Sequence, residues 1–350
     1  MLFIPKTNSV LAQEYHLKIV TETSEYVFYY PEIYLKNNRY YLKDKQNKID
    51  KIVKDSVVLP TNANIKANNP KDIVVTKEQK GKMVWGSFLS TQIDTALKRG
   101  FTKINAVYKD IYPEIDSAYI NRCLNLKSTF TTYFYASTQE RKQNIKLAVS
   151  KINGTILLSG QEFSFNNIVG KRTVENGFKN AKVILDGQFV EGVGGGVCQV
   201  STTLYNACLL AGLSVQEYHP HSLAVSYVEK SFDAMVTDLW ADLRFINDTN
   251  GLIIIFADTT DNSVTFSVYG VENLYTYKTR SEILEEILPE DKIELVEVLL
   301  KGEQEQKVVG KSGFKSKGYL QKYHNGQLID EWLIRSDEYK KIDNLILQGK

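Results

Sequence analysis

The sequence predicts a multidomain α+β protein in which a central α+β domain sets a cysteine at a helix N-terminus against a β-sheet, followed by a β-rich C-terminal module. Three observations predict it. At 350 residues the chain exceeds one ordinary core, so two or three compact units are expected. Apolar stripes at helical spacing alternate with short strand-like runs bounded by Asn, Asp and Gly. The tail carries Gly302, Gly310, Gly313, Gly318, Gly326 and Gly349 between β-prone runs, with no helical period. The expected divisions are residues 1–128, 129–272 and 273–350.

The elements follow in order. His16 to Val20, Tyr26 to Tyr30 and Arg39 to Leu42 read as strands, and residues 61–73 as a turn-rich connector. Ser90 opens a helix running to Arg99 on Ile93, Ala96 and Leu97, and Lys103 to Tyr108 returns to strand. Ser137 and Glu140 form a capping box for a helix on Ile145, Ala148, Val149 and Ile152, which Asn153-Gly154 should stop. Strand-like Thr155 to Leu158 precedes a loop around residues 162–166, and residues 183–190 read as a hairpin turning at Asp186-Gly187. A long helix from Val197 to Ala211 ends at Gly212. Short strands are expected at 224–228, 235–240, 252–257 and 263–268, and Glu282 to Leu288 is a short helix or strand.

Composition excludes some functions. Hydrophobic residues at 43% suffice for real cores, while 43 basic and 41 acidic residues leave a charge of +2, without the basic excess of a nucleic-acid binder. No stretch approaches the roughly 20 apolar residues of a membrane span. The start is too short and polar for a signal peptide, yet Val10-Leu11-Ala12 has the look of a cleavage site. The chain is therefore expected to begin just after a removed signal or anchor; an ordinary N-terminus reads equally well. Three cysteines, Cys123, Cys198 and Cys208, exclude a disulfide scaffold, and no CxxC pair suggests zinc, so neither metal nor cofactor is expected.

The chemistry concentrates in residues 192–213. Gly194, Gly195 and Gly196 permit backbone conformations closed to other residues and close approach of a ligand to the main chain. Cys198 then falls in the first helical turn, where free N–H groups and the macrodipole favour thiolate over thiol. The same N–H groups suit an oxyanion. Two other readings stand beside this one. A glycine turn before a helix can cradle phosphate, but GGGVCQVST lacks a Walker lysine and the GxGxxG spacing; alternatively Cys198 is a small buried residue, as Cys208 is expected to be. Cys123 has no assigned role.

A thiol nucleophile needs a base oriented by a third group. His219 and His221 in YHPHS are the candidates, with His221 preferred at the start of the expected strand. Asp233 and Asp242 are the candidate orienting carboxylates. Arg172 either clamps a substrate carboxylate through its fork of donors or forms a structural salt bridge.

With these residues named, the sequence resembles the VanW-like domain family. FTT (130–132), Arg141 with Asn144 and Ile145, FSFN (163–166), VGKRT (169–173), GGGVCQVSTTLYNA (194–207), HS (221–222), DA.V (233–236) and DL.F.N (242–247) carry the resemblance. It covers about residues 129–270, and the long glycine–cysteine run is its specific part. Residues 14–128 are similar to the variable peptidoglycan-binding-like region that often precedes that domain, and the tail, with YHNGQLIDEW, resembles glycine-patterned surface modules of cell-wall enzymes.

The resemblance implies an extracytoplasmic protein of the Gram-positive cell wall. Its partners would be peptidoglycan peptide stems and glycan strands, with membrane attachment only through an N-terminal anchor. Some members are cysteine-dependent L,D-transpeptidases that join meso-diaminopimelate residues through a thioester, releasing D-Ala. Carried over, the family cysteine falls on Cys198 and the HS and DA pairs on His221 and Asp233. Arg172, Gly194, Gly195, Gly196, Gln199, Ser201 and Thr202 match as substrate-binding candidates, with His219 added as the reserve histidine. Met235 departs from the family's usual Thr, which should touch packing more than chemistry. A cysteine peptidase or L,D-carboxypeptidase of wall peptides, and a non-catalytic peptidoglycan binder, are the competing readings.

Overall fold

A computed structural model describes residues 14–185 and 188–350. The expected turn at Asp186-Gly187 and the expected cleavage site at residues 10–12 lie outside them. Strands dominate, in several small sheets with a few helices. The chain divides into two compact units, the residues up to Asn64 with Val75–Ser117, and Ile65–Val74 with Ala118–Lys350.

In the first unit β1 (Leu17–Val20) pairs antiparallel with β2 (Glu25–Phe28). A hairpin, β3 (Ile33–Lys36) and β4 (Arg39–Leu42), leads into α1 (Lys45–Asp55). After the hairpin of β5 (Asn64–Asn69) and β6 (Asp72–Thr76), most of which belongs to the second unit, come β7 (Gly81–Val84), α2 (Gly86–Arg99), β8 (Lys103–Asn105) and β9 (Tyr108–Ile111). β8 pairs parallel with β1, and Leu17, Ile19, Ile52, Leu89 and Ile93 fill the core. Two expectations change here. The connector at 61–73 is largely the β5–β6 hairpin, and α2 begins four residues before Ser90.

The second unit opens with α3 (Ser117–Arg122), β10 (Asn125–Tyr133), α4 (Gln139–Ile152), β11 (Thr155–Leu157), β12 (Glu162–Ser164) and α5 (Phe165–Val169). It continues with β13 (Asn180–Leu185), β14 (Gln188–Val193), α6 (Val197–Ala211), β15 (Ser214–Glu217), β16 (Arg244–Ile246), β17 (Ile253–Thr259) and β18 (Ser263–Gly270). The tail is β19 (Tyr275–Ile287), β20 (Asp291–Lys301), β21 (Gln304–Val308), β22 (Gly313–His324), β23 (Gln327–Tyr339) and β24 (Asn344–Gly349). The expected short element at 282–288 is the last part of the long strand β19.

Helix α6 packs on the four-stranded sheet β10-β18-β17-β11. β18 alternates strictly, burying Val264, Phe266 and Val268 toward the helix. α6 is buried nearly all round because α4 covers another side, and Val200, Leu204 and Cys208 join Ile145, Val149, Ile253 and Ile255 in one core. Its bounds match the sequence reading: Gly196 precedes it at φ 103° and Gly212 ends it in the left-handed region. α4 is capped one residue later than expected, by Thr138 accepting from the Arg141 amide, while Ser137 binds the Arg141 guanidinium. The expected loop at 162–166 is instead β12 leading into α5.

The expected strands at 224–228 and 235–240 are absent, and residues 218–243 run as irregular backbone. The physical reason lies in the polar residues of α6. Ser201 Oγ donates to the Ala234 carbonyl at 2.6 Å, Thr202 Oγ1 accepts from the Ala234 amide at 2.9 Å, and Asn206 Nδ2 donates to the Phe232 carbonyl at 2.8 Å. Side chains replace a strand partner, so buried backbone needs no ladder here. The tail sheet β19-β22-β23 closes over the other side of this loop. No described helix is long and apolar enough to cross a membrane.

Candidate active site

The loop and the start of α6 meet at a cavity of about 870 Å³, with Cys198 and His221 in its wall. Gly194 and Gly196 take positive φ, 88° and 103°, to turn the chain from β14 into the helix. The space a Cβ would need is occupied by protein. At Gly195 it would meet the Lys182 carbonyl oxygen at 2.6 Å, and at Gly196 the Arg141 side chain at 2.9 Å. The glycines therefore admit β13 and α4 to the first turn of α6 as well as lining the cavity. Cys198 stays half-buried while Cys123 and Cys208 are buried, and all three thiols are free.

His221 is 5% exposed and Asp233 1%. The Asp233 Oδ2 atom lies 2.6 Å from His221 Nδ1 and accepts the His221 backbone amide at 2.7 Å. With Nδ1–H committed to the carboxylate, Nε2 is the ring nitrogen left for Cys198, whose charge and hydrogen-bonding capacity act on the imidazole. Cys198 Sγ also lies 3.4 Å from the Val236 carbonyl oxygen. Cysteine, histidine and aspartate thus form one continuous line.

Burial works against charge at both reactive groups, and their partners outweigh it. For Cys198, the hydrogen bond and charge of His221, with help from Arg172, hold the thiol below its ordinary value. For His221, hydrogen bonds to Asp233 and Cys198 push the imidazole up to about 9. Asp233, likewise buried, is held low by His221, Arg335 and Tyr339. The two shifts, thiol down and imidazole up, favour a thiolate–imidazolium pair beside a carboxylate.

The remaining sequence candidates divide by position. Arg172 lines the cavity; its Nε pairs with Asp238 Oδ1 at 2.9 Å, its Nη1 donates to Asn166 Oδ1 at 2.7 Å, and its Nη2 has no hydrogen-bond partner. Gln199 also lines the cavity, but its amide is fully engaged with Arg141 at 2.7 Å, Thr132 at 2.9 Å and the Tyr133 carbonyl at 3.0 Å. Ser201 and Thr202 are buried under the loop they hold, away from the cavity wall. His219 faces elsewhere, pairing with Glu217 at 2.9 Å and standing edge-on to Trp240. Asp242 accepts from Ser164 Oγ and the Asn166 amide and organises α5, so Asp233 is the carboxylate that reaches His221. Met235, the departure from the family pattern, lines the cavity itself.

Six residues without an assigned role in the sequence reading belong here. Arg141 reaches the cavity from α4, and Tyr227 from the loop. Burial drives the Tyr227 phenol well above the ordinary range, so it stands neutral near Cys198. Arg335 and Tyr339 reach Asp233 from β23. Tyr133 and Tyr135, stacked at 5.4 Å and exposed, form part of the rim.

Such a site, a thiol at a helix start with its histidine and carboxylate on a following loop, defines a cysteine-centred α+β domain. Residues 140–269 match the family model described as VanW like protein. The chain is 37% identical over 173 residues to the uncharacterized protein YoaR of Bacillus subtilis strain 168, covering 49% of this chain and 57% of the relative. It is 28% identical over 139 residues to the vancomycin B-type resistance protein VanW of Enterococcus faecalis, covering 38% and 50%. The chain thus spans about half the length of these curated relatives, and it carries a VanW-like domain. Among solved structures, those of HP0197-G5 and the IgA1 protease G5 domain cover 21% and 23% of this chain, at 20% and 18% identity and TM-scores of 0.15 and 0.17.

Proposed function

We propose that this protein is a cysteine acyltransferase of peptidoglycan, an L,D-transpeptidase that links meso-diaminopimelate residues of neighbouring peptide stems. The likeness to a vancomycin-resistance protein supports a cell-wall role. The observation that carries the chemistry is the Cys198–His221–Asp233 line opening on a cavity walled by Arg141 and Arg172. Cationic walls suit the carboxylates of a peptide stem. A peptidoglycan substrate would have the protein act outside the cytoplasm.

The steps follow from the resting ion pair. The Cys198 thiolate attacks the amide carbonyl between the L-centre of diaminopimelate and the terminal D-Ala. The Val197 and Gln199 amides already donate to the Gly194 and Gly196 carbonyls, which leaves the Cys198 amide of the first turn to face the developing oxyanion. The C–N bond breaks as the imidazolium gives its Nε2 proton to the departing D-Ala nitrogen, leaving a thioester. The side-chain amine of an acceptor diaminopimelate then attacks that thioester. Neutral His221 takes the amine proton, the C–S bond breaks, and the ion pair is restored.

Intact-mass measurement after incubation with a tetrapeptide-stem fragment tests this. An adduct of the stem less D-Ala, absent in Cys198→Ala, is expected, followed by dimers when acceptor is present. Shortened stems without dimers would mean that water is the acceptor. No adduct and no product would refute acyl transfer.

A further inference from the structure

Three contacts from the tail sheet converge on the loop that carries Asp233. Tyr339 Oη accepts the Ser231 amide at 2.8 Å, which turns its own proton toward Asp233 Oδ1 at 2.6 Å. Arg335 donates through Nη1 to the Asp233 backbone carbonyl at 2.6 Å and through Nε to Asp337 at 2.6 Å. Ser316 Oγ lies 2.8 Å from Ser231 Oγ. Ser231 holds φ at 64°, a conformation that a non-glycine residue keeps only when its surroundings impose it. Gly318 makes the approach possible, since a Cβ there would meet the Ser231 carbonyl oxygen at 2.8 Å.

We propose that Arg335 and Tyr339 are positioning residues of the acyl-transfer site, which makes the tail sheet part of the catalytic apparatus and not a separable wall-binding appendage. This rests on Cys198 being the nucleophile. The carboxyl torsion of Asp is broad and roughly two-fold, so bonds to Oδ2 alone do not fix its plane. His221 makes two bonds, both to Oδ2. The Tyr339 hydroxyl, bonded to Oδ1, supplies the second fixed point. Arg335 holds the backbone of the same residue and stands 3.6 Å from Oδ1, sandwiched near the Tyr218 and Tyr205 rings. A buried guanidinium with a rigid fork is suited to this bridging task, whereas lysine is not.

The charges around the line are few. Asp233 faces His221 from its own loop and Arg335 and Tyr339 from β23, with Asp337 behind Arg335. The far end faces Cys198, Tyr227, Arg141 and the Arg172–Asp238 pair. Removing the Tyr339 hydroxyl returns negative charge to the Asp233 carboxylate and strengthens its hold on the imidazolium, while releasing its plane.

The test uses the full chain as Tyr339→Phe and Arg335→Lys, with Cys198→Ala as reference. The pH dependence of iodoacetamide alkylation reports the thiolate midpoint, and stem-adduct formation reports acylation. In Tyr339→Phe melting should fall modestly, because the buried Ser231 amide loses its acceptor, while in the protein still folded the midpoint should move down by about half a pH unit and acylation should fall about tenfold. Arg335→Lys should slow acylation similarly despite keeping the charge. A Tyr339→Phe protein with an unmoved or raised midpoint, or with acylation lost only in step with melting, overturns the inference. Acyl transfer that survives in Cys198→Ala removes the parent reading instead, a result these variants cannot mimic.

Discussion

Arg172 and Asp238 are locked together, Nε to Oδ1 at 2.9 Å, while the Arg172 amide donates to both oxygens of the same carboxylate. The two roles weighed for Arg172, structural pair and substrate clamp, are therefore compatible. One edge of the guanidinium is anchored, and Nη2 is buried and unpartnered, on a side chain that lines the cavity together with Cys198. Arg172→Gln should remove a charge that helps keep Cys198 ionised and should weaken donor binding. The expected result is a KM for the stem raised about tenfold or more, roughly the 1.4 kcal/mol of one charge-assisted bond, with a slight upward move of the thiolate midpoint. Donor titration with alkylation rates measured in parallel checks both.

The ion pair predicts a pH profile. Cys198 is an acid held low, so its thiolate form is gained as pH rises through a value below the ordinary thiol. His221 is a base held high, so its proton, needed by the leaving amine, is lost near 9. Acylation should therefore follow a bell whose falling limb lies near pH 9. By linkage, the raised His221 stabilises the fold fully below about pH 6.5 and loses that contribution as pH rises through about 9. In His221→Asn the chief lowering influence on Cys198 disappears and burial remains. Its alkylation midpoint should move up past that of an unfolded-chain thiol, and an unchanged midpoint would exclude the pairing.

The Ser-Thr-Thr-Leu-Tyr-Asn stretch of α6 acts on the fold before it acts on substrate. Ser201 and Asn206 satisfy the buried Ala234 and Phe232 carbonyls. Ser201→Ala should destabilise by about 1–3 kcal/mol, the desolvation penalty of a buried carbonyl left with only the long Thr202 Oγ1 contact at 3.4 Å. Asn206→Ala should cost somewhat more, because it also releases the Thr202 carbonyl. Urea unfolding gives these values. Acylation in the surviving folded fraction should fall as well, since the same bonds place Asp233.

The sequence made α6 legible to the residue because glycine bounds both of its ends and its neighbours are apolar. It brought Cys198, His221 and Asp233 forward because a helix start, a histidine pair and an aspartate lie within about 40 residues. Where it failed, no local pattern existed to read. Residues 224–240 alternate well enough to suggest strands, but at residues 231–234 the backbone bonds to side chains of α6 and β23 in place of a strand partner. Choosing His221 over His219, or Asp233 over Asp242, depends on distances that neighbouring residues do not encode. Arg335 and Tyr339, more than 100 positions from Asp233, looked like ordinary strand residues.

Gly195 offers the most selective check on the geometry at the thiol. Its φ is ordinary, so alanine there meets no backbone strain, only matter: the Lys182 carbonyl oxygen at 2.6 Å and the Ala181 Cβ at 2.8 Å. Backbone of a paired strand cannot move aside without disturbing β13 and β14 together. Gly195→Ala should therefore destabilise by about 2–3 kcal/mol and displace the first turn of α6, slowing alkylation of Cys198 as well as acylation. Gly302→Ala is the matched control, because Gly302 has positive φ and open space around it. There the change should cost about 1 kcal/mol through φ alone and leave Cys198 reactivity untouched. If the two variants lose stability equally and alkylate alike, steric exclusion by β13 is not what sets the helix start, and the glycine run serves conformation only.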